Sequence, residues 1–235
     1  MATSYSPNVV TDGLVLYLDA ANKKSYPGSG TTWSDLSGNG NHFTLFNTPT
    51  YNTGGYFTFD GTNNYARSTN TINLTSTNAV SVEVVFRVAS VTANEMVFEH
   101  TSDWNTNSGA FGAFTNSNGG SASSPTTDND IHMNSDAGRL DSGPSNDLTE
   151  FSINTMLYSN ANGVTHYNNG VEPSTIVSST SSVTNFANAY TYIATRGGSN
   201  FYDGMDLVLM RIYSRELTAS EIQQNYNALK GRFGL

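Results

Sequence analysis

Cysteine is absent from the 235-residue chain, and charged residues are scarce at 12% of positions. Without thiols, the chain has no disulfide, thiolate zinc site or cysteine nucleophile. Lys and Arg number 10 against 19 Asp and Glu, which leaves a formal net charge of −9. Because nucleic-acid affinity comes largely from neutralising phosphates with Lys and Arg, this balance argues against a nucleic-acid partner. It argues equally against an anionic membrane surface.

Long hydrophobic runs are missing as well. No apolar stretch approaches about 18 residues, so the sequence predicts no insertion in a membrane. Residues 1–8 have neither the basic nor the apolar region of a signal peptide. We therefore expect cytoplasmic synthesis without a signal peptide.

The chain is instead rich in small polar residues and in aromatic residues. Asn, Ser and Thr each occur 29 times, and the chain has 13 Tyr and 12 Phe. Disordered chains are usually poor in aromatic residues, so this composition indicates a folded protein with a surface rich in hydroxyls and amides. Since β-sandwiches run to about 250 residues, the length predicts a single domain.

Apolar residues recur mostly with a period of two, which is typical of β-strands. The clearest run places these residues on one face: Val80, Val82, Val84, Phe86 and Val88. Glu83 belongs to the opposite face, so we expect its replacement by Ala to leave stability nearly unchanged. Asn-Gly and Asp-Gly pairs, which suit tight turns, separate many such short runs. The pattern predicts an all-β antiparallel sandwich.

One helix is predicted at the C-terminal end. Thr218-Ala-Ser-Glu221 is a capping box, and Ile222, Tyr226, Leu229 and Phe233 follow at helical spacing. We expect this helix to cover residues 218–230 and to pack against the sandwich.

Several motifs resemble those of a known family. They are Gly13-Leu-Val-Leu-Tyr-Leu-Asp-Ala-Ala-Asn22, Tyr26-Pro-Gly-Ser-Gly30, Trp33-Ser-Asp-Leu-Ser-Gly-Asn-Gly-Asn-His42, Phe59-Asp-Gly-Thr-Asn-Asn-Tyr65 and Arg211-Ile-Tyr-Ser-Arg-Glu-Leu-Thr-Ala-Ser-Glu-Ile222. The chain resembles laminin G-like, concanavalin A-like jelly-roll domains of the type found in tailed-phage structural proteins. This resemblance implies a two-sheet antiparallel jelly roll with one short C-terminal helix. The domain would span residues 1–235, with an arm at 1–9, and segments 13–22 and 206–213 would meet.

The resemblance also implies a function. We expect a non-enzymatic virion protein, either a capsid decoration or a tail-fibre component, that is made in the host cytoplasm. Its partners would be other virion proteins and a glycan of the host surface or the environment, and it could form a homo-oligomer. The alternatives are a stand-alone carbohydrate-binding module or a glycoside hydrolase.

The hydrolase alternative requires two carboxylates near the scissile bond. Retaining enzymes of this superfamily carry a motif that resembles Glu-x-Asp-x-x-Glu on one strand, and no Glu of this chain begins such a motif. Glu95 and Glu99 could still converge in a loop. We therefore expect no catalytic site.

A calcium site is a further expectation. Asp35, Ser37 and Asn39 alternate before Gly40, as oxygen ligands do at the start of a calcium loop, and Asn41 follows. Phe46 stands where such a loop has its bidentate Glu. The alternative is that these side chains only build Asx turns. A second oxygen-rich stretch is Asp128-Asn-Asp130.

Sugar binding requires an exposed aromatic ring surrounded by amides and hydroxyls. Trp104, in the polar segment 102–109, is the first candidate for a stacking platform. Phe201 and Tyr202, beside Gly197-Gly198 and Asp203-Gly204, are the second. Trp33 belongs to an N-terminal motif, so we expect it in the core.

Overall fold

Antiparallel strands build two seven-stranded sheets in the computed structural model, which describes residues 8–88, 95–103, 106–115, 132–133, 148–159, 161, 163–171 and 185–235. The strands are β1 (Leu14–Asp19), β2 (Thr32–Trp33), β3 (Phe43–Phe46), β4 (Thr50–Asn52), β5 (Tyr56–Thr58), β6 (Tyr65–Ser68), β7 (Ile72–Asn73), β8 (Ala79–Val88), β9 (Glu95–His100), β10 (Phe111–Thr115), β11 (His132–Met133), β12 (Ser152–Ser159), β13 (Gly163–Asn168), β14 (Asn188–Ala189), β15 (Thr191–Ile193) and β16 (Met205–Tyr213). The helix α1 spans Ala219–Phe233.

The two sheets differ in their strand order. Sheet A has the order β13-β12-β8-β16-β5-β4, and β1 also pairs with β16. Sheet B has the order β11-β10-β9-β15-β6-β3-β2, and a small ribbon joins β14 to β7. The fold is therefore the predicted antiparallel sandwich with one C-terminal helix.

The core lies between the sheets. All five alternating residues of β8, from Val80 to Val88, are at most 1% exposed and belong to the main hydrophobic cluster. Trp33 is fully buried there, with its ring 4.8 Å from that of Phe57. Both predictions are confirmed. The alternation works because successive strand side chains point to opposite faces.

The two ends of the chain meet in sheet A, as predicted. Leu16 of β1 lies opposite Ile212 of β16, and Leu18 lies opposite Met210. The pairing joins residues nearly 200 positions apart in sequence, so sheet A depends on both ends of the chain.

The helix forms a third layer on the outer face of sheet A. Ile222 and Leu229 are buried in clusters that include Leu157, Val85 and Leu209, which point away from the main core. The Thr218 hydroxyl caps the helix, and Gly234, with φ of +72°, ends it three residues beyond the predicted position 230. Within the described residues, no helix is both long and apolar enough to cross a bilayer.

This third layer corrects one expectation about β8. Glu83 does face away from the sandwich core, but it is fully buried rather than solvent-exposed. Its carboxylate accepts a hydrogen bond from Arg211 Nη1 at 2.6 Å, and both side chains are 0% exposed. The expectation that Glu83→Ala is nearly silent therefore loses its basis, because alternation assigns a residue to a face without showing what covers that face.

Candidate binding site

The outer face of sheet B carries a row of polar and aromatic side chains. Strand pairing aligns Glu99, Tyr192, Arg67 and Thr44 across four neighbouring strands. The adjacent row, with Phe98, Ile193, Ala66 and Leu45, points into the core. Since neighbouring residues of a strand point to opposite faces, the first row points outward.

A pocket of about 450 Å³ opens beside Tyr192 of this row. Three segments that are remote in sequence form its walls: the turn after β9, the strand pair β14 and β15, and the residue before β7. The lining residues are Thr71, Thr101, Ser102, Thr106, Asn107, Ser108, Ala187, Asn188, Ala189, Tyr190 and Tyr192. In the described part of the chain, the pocket is therefore lined by hydroxyl, amide and aromatic side chains and by no charged group.

His100 links two walls of the pocket, because it lies at the end of β9 and contacts the segment 187–191 at two points. Its Nδ1 is 2.9 Å from the Thr191 hydroxyl, and its Nε2 is 3.1 Å from the Ala187 carbonyl oxygen. Burial lowers the pKa of His100 to about 4, so the ring is neutral at physiological pH. A neutral imidazole has one N–H donor and one acceptor nitrogen. The carbonyl therefore requires the proton on Nε2, and Nδ1 accepts from the hydroxyl.

Gly109 allows the same walls to approach closely. Its φ is +79°, and a Cβ atom at this position would lie 2.6 Å from the amide nitrogen of Ala187. The Ala187 amide instead donates to the Gly109 carbonyl oxygen at 3.1 Å. A further backbone hydrogen bond joins the Thr101 amide to the Tyr190 carbonyl oxygen at 2.9 Å. The pocket is thus preformed by backbone and side-chain hydrogen bonds.

Tyr190 is the exposed aromatic side chain of the pocket, at 38% exposure. The Arg67 guanidinium lies 4.7 Å from its ring centre, and the Phe46 ring lies 5.2 Å from the same guanidinium. Phe46 in turn stacks on Tyr65 with ring centres 4.5 Å apart. The Tyr65 ring is 6.4 Å from that of Tyr202. These five side chains, here called the aromatic strip, run across the outer face of sheet B.

Of the predicted pair, Tyr202 is the end of this strip and Phe201 is its neighbour in sequence, and neither residue lines the pocket. Phe201 is 37% exposed and packs edge-on against Phe114. The Tyr202 hydroxyl donates to the Gly198 carbonyl oxygen at 2.9 Å, which uses its polar end within the turn. Trp104 and Asp128-Asn-Asp130 lie outside the described residues. A sugar-binding role for Trp104, Phe201 and Tyr202 remains a prediction.

Sequence reasoning missed Tyr190 and Tyr192 as site residues. Tyr190 and Tyr192 alternate in the sequence around Thr191, a pattern typical of a strand. That alternation places both rings on one face. This alternation was the sequence signal for two neighbouring rings, but it does not predict which remote segments complete the pocket.

Glu95 and Glu99 lie four residues apart on the strand β9, not in a loop, and their carboxylates have different neighbours. Glu99 is fully buried, and its carboxylate lies 3.8 Å from Arg196 Nε. Glu95 instead lies close enough to Asp203 to influence the pKa of that carboxyl group. Burial, and then the neighbouring Glu95, raise the pKa of Asp203 to about 7, although the Thr115 hydroxyl donates to Asp203 at 3.1 Å.

The predicted calcium residues do come together in one turn. The Asp35 carboxylate accepts hydrogen bonds from the amides of Tyr17, Ser37 and Asn41 and from the Ser37 hydroxyl. The side-chain amides of Asn39 and Asn41 donate to the carbonyl oxygen of Val15. Protein hydrogen bonds therefore account for the shape of this turn without an ion. Calcium binding here stays a prediction.

Comparison with known proteins shows a family and several structures of similar fold. Residues 60–223 match the model of the laminin G type within the concanavalin A-like lectin/glucanases superfamily. A Trypanosoma rangeli sialidase in complex with sialic acid superposes with a TM-score of 0.66 at 12% identity, over 97% of this chain and 36% of the sialidase. The chain thus spans about a third of that enzyme's length. No curated protein sequence matches the chain.

Two bacterial toxins also share the fold. Botulinum neurotoxin type C, whose cell entry depends on interaction with two ganglioside molecules, gives a TM-score of 0.59 at 14% identity, over 93% of this chain and 52% of the toxin chain. The binding domain of botulinum neurotoxin serotype G gives 0.58 at 12% identity, over 91% of this chain and 50% of that domain. Likeness at this level of identity shows a shared fold and does not transfer an activity.

These comparisons correct two expectations. The virion function is wrong, because the similar structures are sialidases and toxin binding domains and nothing shows a phage context. The expectation that the protein is not an enzyme is contradicted as well, because the first similar structures belong to sialidases. The family match covers most of the chain, and the sandwich agrees with it. This chain belongs to the concanavalin A-like lectin/glucanases superfamily.

Proposed function

We propose that this chain is a carbohydrate-binding domain that holds a glycan in the pocket beside Tyr190. The observation that carries the proposal is the lining of the pocket, where Thr, Ser and Asn side chains surround two tyrosines. Hydroxyls and amides hydrogen-bond sugar hydroxyls, and an aromatic ring packs against the apolar face of a sugar. A volume of about 450 Å³ lies within the range of small-ligand sites, about 300–1,000 Å³.

The rigidity of the pocket supports this function. Hydrogen bonds from His100 and the close approach at Gly109 hold the walls before any ligand arrives. A preformed site binds more tightly because less conformational entropy is lost on binding. Two proteins of similar fold are a sialidase in complex with sialic acid and a toxin whose cell entry depends on gangliosides, and both agree with a glycan ligand.

A glycan array, followed by titration calorimetry with the best ligands, tests the proposal. We expect Tyr190→Ala to weaken binding at least tenfold, because an aromatic contact contributes on the order of 0.5–1.5 kcal/mol beyond its buried area. Asn107→Ala, which removes an amide from the wall, should also weaken binding. Tyr226→Ala, on the helix that covers sheet A, is the matched control and should bind like the unmodified chain.

Two results would contradict the proposal. Absence of binding to every glycan would exclude a carbohydrate-binding function. Equal glycan binding by Tyr190→Ala and Tyr226→Ala would show that the glycan binds outside the pocket. Release of reducing sugar from the same glycans should be measured in parallel. Cleavage that is lost in Glu95→Gln would identify a glycoside hydrolase instead.

A further inference from the structure

Arg67 differs from the other arginines that the structure describes. Each of the other five has a carboxylate oxygen within 4.0 Å; they are Arg87, Arg196, Arg211, Arg215 and Arg232. Among the described residues, Arg67 has no such carboxylate, and its buried Nε makes no hydrogen bond. An arginine without an acidic partner is unexpected in a chain with a net charge of −9, where acidic residues outnumber basic ones.

Aromatic rings hold Arg67 in place without neutralising its charge. Its guanidinium lies 4.7 Å from the Tyr190 ring and 5.2 Å from the Phe46 ring. The stacking of Phe46 on Tyr65, with planes only 4° apart, supports this arrangement from below. An aromatic face attracts a cation through its quadrupole, but it leaves the N–H donors free for another acceptor.

The position of Arg67 connects this charge to the pocket. Arg67 pairs with Tyr192 across the β6–β15 ladder, and Tyr192 and Tyr190 both line the pocket. Arg67 is not itself one of the lining residues; its cation lies behind Tyr190, next to a pocket whose described lining has no charged side chain. Since the guanidinium covers one face of the Tyr190 ring, a sugar would pack on the other face, and a substituent that extends past the edge of the ring would reach the guanidinium.

We propose that the ligand of this pocket is an acidic saccharide, and that Arg67 binds its acidic group. The inference rests on the proposed glycan-binding function and adds the chemical class of the glycan. A guanidinium presents parallel N–H donors that match the two oxygens of a carboxylate, and a sulfate offers the same geometry. The pocket supplies the contacts to the sugar hydroxyls, and Arg67 supplies the selection for charge.

The test compares matched saccharides by titration calorimetry. Three probes share one sugar backbone: a neutral oligosaccharide, its uronic acid counterpart and its sulfated counterpart. We expect the unmodified chain to bind at least one acidic probe tenfold or more tightly than the neutral one, as hydrogen bonds to charged groups imply. This preference should weaken with added salt, because Arg67 is only half-buried. The carboxylate and sulfate probes distinguish the two acidic groups.

Variants separate Arg67 from the rest of the site. Arg67→Gln should reduce acidic binding to the level of the neutral probe and so abolish the preference for the acidic probes. Arg67→Lys keeps the charge but loses the planar fork, so it should retain part of the preference. Lys23→Gln is the matched control, because Lys23 also lies over a ring, that of Tyr51 in sheet A, at 5.6 Å. It should leave the preference intact.

The outcomes distinguish this inference from the proposed function. Equal binding of acidic and neutral probes, or equal loss of both in Arg67→Gln, would overturn the role of Arg67, while glycan binding that depends on Tyr190 would stand. Absence of binding to every probe would overturn both. If Arg67→Gln does not fold, the comparison of Arg67→Lys with the unmodified chain decides, since a full preference in Arg67→Lys would contradict recognition by the guanidinium fork.

Discussion

The buried pair of Glu83 and Arg211 offers a sharp test of the three-layer architecture. The two groups are 2.6 Å apart and fully buried between sheet A and the helix. Glu83→Ala would leave the Arg211 guanidinium buried without its carboxylate. Breaking a buried ion pair from one side costs about 3–5 kcal/mol, and we expect a loss of this size in the free energy of unfolding.

The electrostatics of the pair explain this magnitude. Burial raises the pKa of Glu83, and Arg211 opposes that rise only in part. Burial alone would lower the pKa of Arg211, but the Glu83 carboxylate raises it above its usual value. The guanidinium contacts the Tyr17 ring at 4.3 Å, which does not replace a carboxylate. For a chain of this size, about 1 kcal/mol shifts Tm by about 2–4 °C, so Tm should fall by on the order of 10 °C.

Denaturant unfolding followed by circular dichroism measures the effect. Arg211→Met and the double variant Glu83→Ala/Arg211→Met complete a cycle, and the double variant should be more stable than Glu83→Ala because it leaves no buried charge. Asp12→Ala is the control. Its 85% exposed carboxylate contacts Arg215 at 2.8 Å, and surface pairs contribute only about 0–1 kcal/mol. If Glu83→Ala costs no more than Asp12→Ala, the reasoning about a covered outer face is refuted.

Three further predictions address the pocket and the turns. Because the native pKa of Asp203 is about 7 against a usual 3.8, the native state retains between these values a proton that the unfolded chain has lost, so stability falls as pH rises from about 4 to about 7 and levels off above. The stability of the unmodified chain relative to Asp203→Asn should therefore drop by about 3 kcal/mol from pH 5 to pH 8, and a constant difference would contradict the raised pKa. Gly109→Ala should lower Tm and abolish glycan binding together, because its Cβ would lie 2.6 Å from the Ala187 amide nitrogen. A normal Tm with normal binding would show that the pocket does not need this close approach. Asp35→Ala should destabilise the chain by removing four hydrogen bonds. For the calcium prediction, a rise of Tm with millimolar calcium that Asp35→Ala abolishes would support an ion, and no shift would leave only turn formation.

Local patterns were enough to predict the core face of β8, the C-terminal helix and the class of fold. The period of two in β8 identified its core face, since each strand residue has a fixed side of the sheet. The capping box at Thr218 located the start of the helix, because the hydrogen bonds that form it join residues three positions apart. These signals depend on neighbours in the sequence, and so they can be read without knowing the fold.

The pocket and the buried ion pair depend on contacts between remote segments. Tyr190 becomes a site residue because the turn after β9 and residue Thr71 come to lie beside it. Glu83 becomes a buried charge because a helix more than 130 residues later in the sequence covers its face. A strand pattern assigns each side chain to a face, but the packing of distant elements determines whether that face meets solvent, a ligand or a helix.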